Sequence, residues 1–139
     1  MTFTSGDQAP HRALPASAAQ AREVVERLVH TFYAPLGASA GDVDVVVADA
    51  LLVTSELVTN AFRHGGGLIA FDAHVSADGL LVSVTDRSST LPVTTTTEVP
   101  AGDRTGGYGW PLVCRLASTV SITPAPPEGK CIHAFIPLT

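Results

Sequence analysis

Ser55-Glu56-Leu57-Val58-Thr59-Asn60-Ala61-Phe62-Arg63-His64-Gly65-Gly66-Gly67 closes the longest helical pattern in this 139-residue chain, and its reading decides the fold. Within it and ahead of it, Val47, Ala50, Leu51, Thr54, Leu57, Val58 and Ala61 recur at steps of three and four. That spacing predicts a helix whose single apolar stripe faces a sheet. Asp42 offers an N-cap, so the helix is expected from Val43 to about Arg63, with the three glycines ending it. The β-branched run Val45-Val46-Val47 is unfavourable for a helix by propensity; burial overrides that, and the run reads as core.

Another face of the same helix carries Glu56, Asn60 and His64 at i, i+4 and i+8, with a drift of only about 40° per step. On spacing alone a solvated polar face is the commoner meaning of such a pattern, with His64 meeting the negative end of the helix dipole. The chemical alternative is specific. An asparagine offers a neutral oxygen to Mg²⁺ and a glutamate can accept a proton from an attacking hydroxyl, a pairing suited to phosphoryl transfer.

Downstream, Ile69, Phe71, Ala73 and Val75 alternate with more polar neighbours, Asp78-Gly79 supplies a hairpin turn, and Leu80, Val82 and Val84 alternate again. Val120/Ile122 and Ile132/Ala134/Ile136 give two further strands, joined by a turn from Pro124 to Gly129. Alternation on one side only means that helices cover one face of the sheet. Asp86 ends the second strand on the side of Leu80, Val82 and Val84. A carboxylate there must find a donor, either in an Asx-type turn onto Ser88 or in the polar edge of a ligand.

Upstream, Val24, Val25, Leu28, Val29 and Phe32 mark a first helix from Ser17 to about Tyr33, closed by Pro35 and Gly37. Residues 1–15 read as a mobile tail and 16–139 as one domain. Residues 88–106 show no regular pattern, which suits a lid, a binding loop or a floppy insertion. Gly106-Gly107-Tyr108-Gly109 then precedes the apolar helical run Trp110, Leu112, Val113, Leu116, Ala117. Glycines before a helix let backbone amides approach an anion, but alone they are no more than a hinge. A Walker loop is absent, and Gly107 to Leu112 lacks the third glycine of the dinucleotide fingerprint.

Composition narrows the classes. Eight Lys+Arg against thirteen Asp+Glu give a net charge of −5, which disfavours a direct nucleic-acid surface. With 45% hydrophobic residues the chain can build a core without metal or disulfide staples. Cys114 and Cys131 have no ligand spacing, which suits a reducing compartment. Neither a signal peptide nor a run of about 20 apolar residues is evident, so a cytoplasmic protein with no membrane partner is expected. Ser55, Ser83 and Ser89 show no surroundings of a hydrolase nucleophile, and His11, His30, His74 and His133 read as unpartnered.

Glu56 to His64, then Asp86-Arg87-Ser88 at a strand end, then Gly107-Tyr108-Gly109-Trp110-Pro111-Leu112-Val113 resemble, in that order, the histidine-kinase-like ATPase superfamily with its Bergerat fold. More narrowly, Ser55 to Gly67 and Gly129-Lys130 look like the small bacterial regulators related to anti-sigma factor serine kinases; the resemblance spans about residues 17–139. It implies an α+β two-layer sandwich, a mixed, mostly antiparallel sheet with helices packed on one face, and ATP with Mg²⁺ as cofactors. By the same resemblance Asn60 is the Mg²⁺ ligand, Asp86 accepts the adenine amino group, and Glu56 is the catalytic base toward a protein serine. Gly107 and Gly109 admit the phosphates, Arg104 reaches the terminal phosphate, residues 88–106 form the ATP lid, and His64 and Cys131 join the nucleotide-binding set. The implied function is transcription regulation by a protein serine kinase that binds a sigma factor and phosphorylates a small anti-sigma antagonist, typically as a homodimer.

The chain departs from the family pattern at Pro111, which removes an amide, at Trp110 in place of leucine, at Tyr108 in place of a basic residue and at Cys131 in place of threonine. These departures keep open an alternative: a catalytically degenerate ATP-binding or nucleotide-free partner-binding module of the same fold. A sensor histidine kinase is not expected, because no phospho-accepting helix pair precedes the domain.

Overall fold

Local capping chemistry places the helices. In the computed structural model, which describes residues 14–91 and 109–138, helix α1 (Ala18–Tyr33) starts at Ser17, whose hydroxyl accepts the Gln20 N–H at 3.2 Å. A short 3₁₀ turn (Ala34–Leu36) follows, and Gly37 at φ 67° turns the chain out of it. Helix α2 (Ala40–Arg63) begins three residues earlier than the sequence suggests. Ser39, not Asp42, is the N-cap: its Oγ accepts the Asp42 N–H at 3.3 Å and its carbonyl accepts Val43 N–H at 3.1 Å. Asp42 sits in the first turn, where its charge favours the helix dipole. Ser39→Ala is expected to cost about 1 kcal/mol in urea-unfolding free energy, with the slope unchanged.

The remaining elements are strands β1 (Leu68–Val75) and β2 (Gly79–Asp86), helix α3 (Gly109–Leu116), and strands β3 (Thr119–Pro124) and β4 (Lys130–Pro137). The sheet order is β1-β2-β4-β3, and all three pairings among the described residues are antiparallel. The first hairpin turns at Ala77-Asp78 instead of Asp78-Gly79. Ser76 and Gly79 exchange both backbone bonds (2.9 and 3.3 Å), and Gly79 already pairs with Pro137 of β4. A register irregularity between Leu68 and Ala70 buries Leu68 and turns Ile69 outward, 42% exposed, where simple alternation would bury it.

The helices lie on one face of the sheet. Phe71, Ala73, Val75, Leu80, Val82, Val84, Ile132, Ala134 and Ile136 meet Val25 and Val29 of α1, Val53, Leu57 and Val58 of α2, and Trp110 and Val113 of α3 in one core. Of the valine run, Val47 is buried, Val46 half-buried and Val45 63% exposed, so only part of it is core. By length and mean hydropathy (1.5) α2 would suffice to cross a bilayer. Its apolar stripe is instead covered by protein, and its other faces carry Asp42, Asp44, Asp49 and Glu56, charges a bilayer would resist. Residues 1–13 of the expected tail and 92–106 of the expected lid lie outside the described residues.

Candidate functional site

The C-terminal end of α2 and the end of β2 meet at Gly65. Asn60 O receives both His64 N–H (2.8 Å) and Gly65 N–H (3.0 Å), which closes the helix, and Gly65 O accepts Arg87 N–H at 2.8 Å just beyond β2. The Asp86 carboxylate lies where a Gly65 side chain would begin. Gly129 is equally constrained: φ is 125°, and a Cβ there would strike the Asp86 carbonyl oxygen. Gly65→Ala is therefore expected to displace Asp86, costing about 1–3 kcal/mol in stability and weakening ligand binding in a titration.

Asp86 is 3% exposed and carries the charge of the site. Its Oδ1 accepts Ser88 N–H at 2.9 Å, forming the Asx turn, and Lys130 Nζ reaches Oδ1 at 3.1 Å and Oδ2 at 3.0 Å. Lys130, 6% exposed, also donates to Ser88 O at 3.2 Å, and Ser89 Oγ accepts Gly129 N–H at 3.1 Å. Both ends of the pair are desolvated, so the Coulomb attraction acts in a low-dielectric setting and removing one partner would leave a buried charge uncompensated.

Glu56 and Asn60 are half-buried on α2, and their side chains have no hydrogen-bond partner among the described residues. His64 caps the helix and is exposed. Gly109 opens α3, and in that helix's first turn Trp110 Nε1 is buried without a partner among the described residues. An orphaned indole N–H inside a protein is costly unless something polar meets it. Arg104 and Gly107 lie outside the described residues.

The structure does not bring Cys131 to this side. Cys131 pairs with Thr85, while Asp86 pairs with Lys130, so the pleat sends Cys131 to the opposite face of the sheet. There, burial together with Asp72 and Asp86 pushes its thiol up, and a hydrogen bond from Thr85 offsets part of this. The same face partners two histidine nitrogens: His133 Nδ1 lies 2.9 Å from Ser83 Oγ and Nε2 3.2 Å from Thr123 Oγ1. His30 also has a neighbour, Glu26 at 3.9 Å on the exposed side of α1.

Sequence reasoning missed Lys130 as the partner of Asp86 and Gly65 as the floor beneath it. The signal for Lys130 existed, since it is the chain's one lysine and opens the last strand, but only the β2–β4 register sets it opposite Asp86.

Three helices on one face of an antiparallel sheet, with an asparagine-bearing helix ending against a buried strand-end carboxylate, make a two-layer α+β domain. Residues 11–135 match the histidine kinase-like ATPase domain, and the chain belongs to that family. Membership implies that the domain binds ATP. A comparison with curated proteins gave no match.

Proposed function

We propose that this chain binds ATP together with Mg²⁺ and acts as a regulatory protein serine kinase of the anti-sigma factor type. The observation that carries the nucleotide part is the junction at Gly65, which sets the end of the Glu56/Asn60 helix against the Asp86 carboxylate. The residues fit the ligand. Among the described residues Asp86 Oδ2 retains acceptor capacity for an amino group, the Asn60 amide oxygen has no partner and is available to a cation, and the unpartnered Trp110 N–H marks a polar demand at the head of α3.

ATP, when bound, supplies the transferable phosphoryl group. Asn60 would hold the Mg²⁺, and Glu56 would take the proton from a serine hydroxyl of the partner protein. The sigma factor, the antagonist substrate and a homodimeric state come from the resemblance of Ser55 to Gly67 to the anti-sigma factor kinases. By the resemblance Arg104 and Gly107 would complete the phosphate site, with Gly109 at the start of α3.

Calorimetric titration with ATP and ADP, with and without Mg²⁺, tests the proposal. Mg²⁺-dependent binding is expected. No binding at concentrations that detect an affinity of ~100 μM, about −5.5 kcal/mol, would overturn it in favour of a partner-binding module. That second reading draws on Pro111, which removes a backbone amide from the first turn of α3.

A further inference from the structure

We propose that the outward face of α2, along Val45, Ala48 and Leu52, docks an amphipathic helix of another protein whose flanks carry lysine or arginine. The inference is independent of the nucleotide reading, since this face lies away from the Gly65 junction. Val45 is 63% and Leu52 43% exposed, and Ala48 between them is exposed as well. At 100° per residue Val45 and Leu52 project within about 20° of one another, and Ala48 within about 60° of Val45. The wholly buried Thr54 lies on the opposite side of the helix, toward the core. Helix α1 packs over β1 and α3 over β3, at the two edges of the sheet, and both flank α2, so its back stays open among the described residues. Nothing in the fold calls for Val45 there: valine is a poor helix former, and at this position it buries little.

The spacing and the charge around this seam specify its occupant. Val45, Ala48 and Leu52 follow the three-four steps of paired helices, and the small Ala48 leaves a hole between two larger side chains for a partner's knob. Ser55 would come next, but Arg22 of α1 donates to its Oγ at 2.6 Å, which closes the seam at that end. Asp42 and Asp49 run along one side at about 40–60° from Val45, and Asp44 lies on the other at about 100°. Helix α2 has no lysine or arginine before Arg63, and none of these three carboxylates has an ion-pair partner among the described residues. Basic flanks on the incoming helix would meet both acidic rows. A second copy of this chain, with its net charge of −5, would set the same acidic rows against each other in a symmetric contact.

The test titrates the isotopically labelled intact chain with three synthetic helical peptides. One has a leucine seam with lysine flanks, one the same seam with glutamate flanks, and one the lysine flanks with glutamine in place of leucine. The first is expected to bind and to move the amide resonances of Val45, Ala48, Asp49 and Leu52, and the other two to bind about tenfold more weakly or not at all. Leu52→Glu and Asp49→Lys should each weaken the first peptide about tenfold, with circular dichroism unchanged. Leu52→Gln is read in place of Leu52→Glu if the latter fails to fold. No binding of the first peptide overturns the proposal, as do resonance changes away from α2, equal binding of the leucine-free peptide, or an unchanged affinity in the folded variants. A dimer in sedimentation that Leu52→Glu dissolves would also overturn it, by assigning the face to a second copy.

Discussion

Asn60→Ala abolishes Mg²⁺-dependent nucleotide binding, with the apparent affinity for Mg-ATP falling by two orders of magnitude or more, about 2.7 kcal/mol. The reason is chemical and local. Asn60 serves the fold through its backbone carbonyl, which accepts His64 and Gly65 N–H and which alanine retains. Alanine is also the better helix former. The substitution thus removes the amide oxygen and little else, so a cation at this position loses its protein ligand. Calorimetry with and without Mg²⁺ reads the effect, and a melting curve confirms that α2 still closes on β2. Undiminished Mg-ATP affinity in a folded variant would remove Asn60 from the site.

Glu56→Ala separates binding from turnover. Glu56 lies one turn before Asn60 on the same helix face, close enough to share a substrate with it but with no structural partner among the described residues. ATP affinity should stay within about threefold of wild type, while transfer of labelled phosphate to the partner serine falls by about 10²–10⁴, the range for loss of a general base. Glu56→Gln should behave like the alanine variant, since it preserves shape but cannot accept the proton. Transfer at the normal rate in either variant would exclude Glu56 from the chemistry.

What was legible in the sequence was whatever depended on local periodicity. The stripe Val47 to Ala61, the row Leu80-Val82-Val84-Asp86 and the Ser17 start of α1 depend on neighbours three, four or two residues away, and each is found as expected. Asp86 shows why two readings could both hold: the Asx turn onto Ser88 is present, and it still leaves acceptor capacity on Oδ2. The misses share a different physics. Ser39 displaced Asp42 because two residues three apart both suit a helix start, and starting at Ser39, whose Oγ and carbonyl take the Asp42 and Val43 N–H groups, adds a turn to the helix. Ile69, Cys131, Lys130 and His133 were misjudged because their faces and partners are fixed by register across strands far apart in the chain, and one irregularity at Leu68/Ala70 reverses a side chain's face.

That irregularity also bears on how the protein behaves at high concentration. β1 and β3 form the two edges of the sheet among the described residues, and an unpaired strand edge is a template for another chain. On β3 the outward row is Thr119, Ser121 and Thr123, ending at Pro124, which has no N–H to offer a newcomer. On β1 the break between Leu68 and Ala70 interrupts the regular ladder beside the exposed Ile69. A second molecule adding in register would meet a fault within its first three residues, so the large apolar side chain of Ile69 on that edge is guarded against fibril-like growth by the distortion that exposed it.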